Sequence, residues 1–212
     1  MTHCRAQREG SSSLCVSAVH APEEGSDVKS KLISDVITYT GDQLRSHWAF
    51  EQYDVQGDSI VAFMGPCDVG TEKLVDLADR KELKKIYSQE MLHFLVEHFD
   101  RDLEKTLLRQ KLLITIIMEK LNHRMKHSVI HRLGDDLFDG DKKLSVSIAT
   151  LTPVSTMIHV GINISSKNTP VRTSGLKDYG IEPEEVAEVV MNQYMAEMKS
   201  LTLARSKVKG VL

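Results

Sequence analysis

The chain has 212 residues, 41% hydrophobic and 27% charged, with 12 Gly and 5 Pro, a balance that excludes a disordered or collagen-like polymer and allows a sizeable core. A net charge of −3 gives no field that would gather nucleic acid or an anionic membrane non-specifically, although Lys199, Arg205, Lys207 and Lys209 cluster near the C-terminus. The apolar runs, such as residues 112–118, fall far short of the roughly 20 residues that a membrane span needs, so no membrane partner is expected. Cys4, Cys15 and Cys67 lack metal-ligand or redox spacing, which fits a reducing, cytoplasmic compartment better than a disulfide framework or a zinc site. Residues 14–19, after Arg5 and Arg8, are too short and too interrupted by polar residues for a secretory signal.

Residues 1–30 hold Gly10-Ser11-Ser12-Ser13 and little periodicity, and read as a flexible extension ahead of a single domain over 31–212. A β-branched run predicts a strand over 32–39, stopped by Thr40-Gly41-Asp42, and a short helix over 43–51. A second strand is predicted over 59–63, after which Gly65-Pro66 breaks the chain, and 76–85 carries a helical turn or two. Residues 91–99 fit a strand or a helix. The strongest helix spans 102–123, with Leu103, Leu107, Ile114, Ile117 and Leu121 at helical spacing, acids in its first turn and bases in its last. Residues 131–164 read as strands joined by tight connections. A last helix opens at Pro183, with Val186, Val189, Val190, Tyr194, Met198 and Leu201 as its buried stripe. Strands and helices mix without regular βαβ alternation, which predicts an α+β fold with helices on a mixed or largely antiparallel sheet.

The most informative stretch runs over 134–164. Asp139-Gly140 is a strong two-residue hairpin turn, so Leu137-Phe138 should pair with the strand from Lys143, which places Asp135 and Asp136 beside that strand. Alternation then puts Leu144, Val146 and Ile148 on one face and Lys143, Ser145, Ser147 and Ala149 on the other. The next strand sets Ile158, Val160, Ile162 and Ile164 against Met157, His159, Gly161 and Asn163. Matching the faces predicts Ala149 opposite Met157, Ser147 opposite His159, Ser145 opposite Gly161 and Lys143 opposite Asn163. One face would join the core. The other, of small polar groups with a lysine and a histidine, could meet solvent, but its small side chains give little cover and favour a ligand floor. A fixed lysine there can neutralise a carboxylate, a phosphate or the charge developing in acyl transfer.

These residues carry a resemblance. Asp135-Asp136-Leu137, Gly140, Lys142-Lys143-Leu144-Ser145 and Ile158-His159-Val160-Gly161-Ile162-Asn163-Ile164 resemble the central motif of the biotin and lipoate protein ligase superfamily. Leu44-Arg45-Ser46-His47-Trp48-Ala49, taken with residues 140–150, resembles an archaeal and bacterial family, domain-of-unknown-function family 366, which groups with those ligases by fold. The resemblance implies a ligase-like fold shared with class II aminoacyl-tRNA synthetases, and a ligase or acyltransferase acting on a small carboxylic acid or its activated ester. It makes Lys143 the counterpart of the lysine that meets the carboxylate and activated acyl group, and Asp136 the acid that organises nucleotide and metal. His159 and Gly161 fall in the pocket wall, and Asp135 stands where the family has Asn. ATP and Mg2+ are the cofactors implied, with a small acid or nucleotide as ligand and an acceptor protein as a further partner. The Gly-Arg-rich and Arg-Arg loops of the ligases are absent upstream of the long helix, which leaves open ATP-independent transfer or a non-catalytic module that senses a nucleotide or small acid. An RNA-linked role would rest on fold analogy alone, so nucleic acid is not an expected partner.

Other clusters read both ways. Arg45, His47 and Trp48 suit a carboxylate, phosphate or base, or else a core anchor with a surface ion pair. If 91–99 is a strand, His93 and Glu97 share one face and His98 takes the other, a spacing poor for one metal. His123 and His127 fit favourable charges at a helix end. Cys67 is either a loop nucleophile or an inert thiol.

Overall fold

The computed structural model describes residues 27–83, 85–125 and 129–211; the expected N-terminal extension, Cys4, Cys15 and His127 lie outside the described residues. In chain order the elements are β1 (Lys29–Val36), α1 (Trp48–Tyr53), β2 (Ser59–Val69), α2 (Leu77–Lys81), β3 (Ile86–His98) and α3 (Leu103–Arg124). There follow β4 (Ile130–Leu133), β5 (Asp136–Asp139), β6 (Lys142–Lys143), β7 (Ser145–Leu151), β8 (Thr156–Asn163) and α4 (Pro183–Lys207). The main sheet has five strands in the order β1-β2-β3-β8-β7, parallel only between β1 and β2. Strands β4, β5 and β6 form a small antiparallel sheet. The fold is therefore α+β with a mixed sheet, as the sequence predicts.

Both long helices form where local signals put them. The Asp102 carboxylate accepts the Lys105 N–H at 2.9 Å and caps α3, with Glu104 in the first turn and His123 and Arg124 in the last. Pro183 opens α4 with its φ already set. Both helices pack on one sheet face, where Leu113, Ile114, Ile117, Val186, Val190 and Tyr194 meet Ile60, Phe94, Ile158, Val160 and Ile162. Leu103, Leu107 and Leu201, predicted to belong to the buried stripes, are exposed, and the last turns of α4 are exposed almost throughout. The opposite sheet face carries a second core, in which Tyr39, Trp48 and Ala49 cover Val61, Phe63, Leu95 and Met157.

The upstream strands depart from the local signals. β1 begins at Lys29 and ends at Val36, and Tyr39 instead makes a separate parallel bridge with Cys67. Residues 41–47 are bends and turns, so the predicted 43–51 helix is reduced to α1, entered through His47 at φ 64°. Gly65-Pro66 does not break the chain. β2 runs through it with a register shift between Gly65 and Cys67, and the Pro66 carbonyl accepts from the Tyr39 N–H at 2.8 Å. Gly65 is needed there because a Cβ would lie 2.1 Å from the Ile37 carbonyl oxygen. Residues 91–98 belong to a strand of 13 residues, buried on both faces over these last eight, which erases the alternation that marks a half-buried strand; Phe99 lies just beyond it in a bend.

The β7–β8 register is one residue off the predicted one. Ser145 lies opposite Ile162, Val146 opposite Gly161, Ser147 opposite Val160, Ile148 opposite His159 and Ala149 opposite Ile158. The connection holds one residue more than the predicted pairing allows, and tertiary bonds fix its length. Ser155 donates to Thr152 through its N–H at 2.8 Å and to buried Glu97 through its hydroxyl at 2.6 Å. A one-residue slip exchanges the faces. Ser145 and Ser147 therefore share the helix-covered face with Ile158, Val160 and Ile162, while Val146 and Ile148 join His159 and Gly161 on the other.

Candidate functional site

A cavity of about 640 Å3 lies over the second face of the sheet, where β2 and β8 end and β3 and β7 begin. Its lining combines an apolar group (Met91, Val146, Ile148, Ile86, Val69 and Leu74) with Tyr39, His159 and Asn163, and with Lys143, Asp135 and Asp136. Lys143 arrives through the hairpin that Asp139-Gly140 predicts, since Phe138 pairs with Lys143 across it. Gly140 takes φ 60° in that turn, the left-handed region that glycine enters without cost. Past Lys143 the chain leaves regular alternation. Lys143 bridges to Thr173 and donates its N–H to the Arg172 carbonyl at 2.9 Å, while Leu144 turns into the helix-side core. The Lys143 side chain is 32% exposed, and its Nζ lies 2.6 Å from the Asp136 carboxylate.

Asp136 is half-buried. Burial raises its carboxyl above the usual range, with the Lys143 charge and hydrogen bond and the Ser145 hydroxyl opposing that rise. Ser145 Oγ donates to Asp136 at 3.2 Å and accepts the Leu137 N–H at 2.8 Å. Ser147 Oγ donates to the Asp135 carbonyl and accepts from Gln110 of α3, both at 2.7 Å. These serines border the cavity, but their hydroxyls are committed to holding the aspartate turn and α3. They are not a bare polar floor, which corrects the sequence expectation. Asp135 is exposed, and its carboxylate has no hydrogen-bond partner among the described residues.

His159 sits deeper, 3% exposed, with Nε2 3.0 Å from Nδ1 of buried His93 and with Tyr39 stacked on its ring at 3.7 Å and 7°. Burial lowers His93 to about 3 and His159 well below the usual imidazole range, so both rings are neutral at physiological pH. Gly161 leaves room for Met91, whose sulfur would be 2.3 Å from a Cβ there. Asn163 closes the near end, its Nδ2 reaching the Lys143 carbonyl at 3.4 Å.

The structure does not bring Arg45, His47 and Trp48 to this cavity. Trp48 is buried against Phe63 and Tyr53, Arg45 pairs with Glu51 at the surface, and His47 gives its N–H to Glu97 at 2.9 Å. Trp48→Ala is expected to destabilise the protein by about 3 kcal/mol, the cost of an emptied aromatic site. Arg45→Ala should leave the urea midpoint unchanged, because a solvated pair contributes little. Urea unfolding of both variants checks this. Cys67 is fully buried and burial pushes its thiol up to about 12, so it is no nucleophile in the folded protein. Tyr39, Leu74 and Met91 line the cavity but were missed from sequence, since only the tertiary fold unites them.

Comparison with known proteins extends this geometry. An uncharacterized protein of Methanocaldococcus jannaschii is 41% identical over 179 residues, 80% of this chain and 79% of that protein. A solved protein of unknown function from Pyrococcus horikoshi superposes with a TM-score of 0.80 at 34% identity, covering 87% of this chain and all of that one. Biotin protein ligase from Aquifex aeolicus, solved with biotin and ATP, gives 0.54 at 16% identity over 81% of this chain and 71% of that one. A biotin acetyl coenzyme A carboxylase synthetase from Helicobacter pylori gives 0.51 at 13% over 84% and 79%. Both of these proteins share the fold with this chain. Residues 28–209 match the model of a domain of unknown function, and the chain belongs to that family, DUF366.

Proposed function

We propose that the protein is a ligase or acyltransferase acting on a small carboxylic acid or its activated ester. The observation that carries this reading is the Lys143 ammonium, paired with Asp136 at 2.6 Å, beside a cavity of about 640 Å3 whose mixed lining has an apolar part formed by Met91, Val146, Ile148 and Leu74. Such a site suits a molecule with a negative head and an apolar body, of the size ligand pockets usually take. Lys143 meets the carboxylate and then the charge that develops during acyl transfer, in surroundings where a fixed cation acts more strongly than in water. Asp136 holds Lys143 in place, and the sheet excludes water from the body of the acid. The aspartate pair also fits a nucleotide with Mg2+, which takes one or two protein carboxylates and leaves the rest of its shell to phosphates and water. Asp135 and Asp136 are the residues that would hold it, and the ion would supply charge neutralisation at the phosphates.

The absence of Gly-Arg-rich loops in the sequence favours a second reading, a non-catalytic module that binds a nucleotide or small acid at the same cavity. Pyrophosphate exchange into ATP across biotin, lipoate, octanoate and amino acids separates the two. Exchange that depends on one acid and on Lys143 is expected of an adenylating ligase. No exchange, together with saturable acid binding and no transfer from activated esters, would place the protein with the binding module. A single domain over 31–212 with an N-terminal extension, and a cytoplasmic location, complete the proposal.

A further inference from the structure

The deep end of the cavity holds an acceptor that the protein leaves unused. His93 Nε2 lies 3.2 Å from the Gly65 carbonyl oxygen, an atom that can only accept, so that nitrogen carries a proton. His93 is neutral, which makes its Nδ1 a lone pair, and the facing Nε2 of His159, 3.0 Å away, must donate to it. His159 is neutral as well, so its own Nδ1 is left as a lone pair. That atom has no hydrogen-bond partner among the described residues, and His159 is 97% buried yet lines the cavity. Tyr39 stacked flat on the ring, and the bond to His93, hold it in this orientation. Ser174 Oγ is the buried side-chain atom left without a partner among the described residues, so His159 Nδ1 is open to the cavity, and a wall that offers such an acceptor discriminates against a ligand that cannot donate to it.

We propose that the cavity selects acids whose body carries an N–H or O–H donor, received by the Nδ1 lone pair of His159, over acids with a purely hydrocarbon body. This rests on the reading of the cavity as a carboxylic-acid site and adds to it: Lys143 takes the head and His159 the distal donor. The neutral His93 sets the tautomer and is a positioning residue.

The test is titration calorimetry of the full chain with octanoate, the positional series of hydroxyoctanoates and the matching oxo-octanoates, which accept where the hydroxyl donates. At one position the hydroxy acid is expected to bind at least about tenfold more tightly than its oxo counterpart. His159→Phe, which keeps a ring under Tyr39, should remove that preference. Nitrogen resonances of histidine-labelled wild-type protein provide a readout independent of that variant's folding: His159 Nδ1 should be unprotonated and should shift when the preferred hydroxy acid binds. A protonated Nδ1, or equal affinities for the hydroxy and oxo acids at every position, overturns the inference. If those equal affinities still fall with Lys143→Gln, the acid-site reading stands. No binding by any acid overturns both.

Discussion

Lys143→Ala is expected to lower kcat/KM by about a thousandfold on whichever acid the protein turns over, with the fold intact. The magnitude follows from the work of a fixed charge at a developing negative centre, about 10²–10³ in rate for one such group. Its separation from stability follows from position. Lys143 is about one-third exposed and pairs with the half-buried Asp136, so losing the side chain should cost no more than about 1 kcal/mol. Asp136 can accommodate the loss, because burial already raises its carboxyl and removal of the lysine raises it further toward a neutral acid. Steady-state kinetics beside urea unfolding makes the comparison. A variant that unfolds would mean that Lys143 supports the core instead.

Stability is expected to fall steeply with acid between pH 6.5 and about 4.5, before ordinary carboxylates titrate. His93 is held down to about 3 and His159 well below its usual value, both first by burial. In this window the unfolded chain binds protons at these rings and the folded chain does not, so falling pH favours unfolding. Each such ring contributes about 1.4 kcal/mol per pH unit below 6.5, or about 3 for the pair. His98, lowered by burial against the pull of its Asp58 hydrogen bond, acts in the same sense. Asp136, raised by burial, acts in the opposite sense. Against a typical stability of about 5–15 kcal/mol, two pH units remove much of the margin. Urea midpoints at intervals from pH 7.5 to 4.5 should trace this slope, and a flat profile would show that the rings take up protons while folded.

Local chemistry made part of this molecule legible. The Asp102 cap, Pro183 and the Asp139-Gly140 turn each act within a few residues, and α3, α4 and the Phe138–Lys143 pairing lie where those residues put them. The same turn brings Asp136 to Lys143. What sequence could not show depends on distant partners. The β7–β8 register hangs on Ser155 reaching Glu97, 58 positions away, and without that contact the faces were assigned in reverse. β3 hid its strand character because its last eight residues are buried on both faces. His159 was singled out, but Tyr39 and His93, which fix its ring, come from β2-side and β3 segments that no motif connects to it.

The most direct test of the acid site is a crystal structure of the protein grown with the acid of the panel that binds most tightly. The expected result is the carboxylate within about 3 Å of Lys143 Nζ, a normal hydrogen-bond distance, with the body of the acid over Val146 and Ile148. An acid bound with its carboxylate remote from Lys143, or a cavity that stays free of every acid at saturating concentration, would contradict the account.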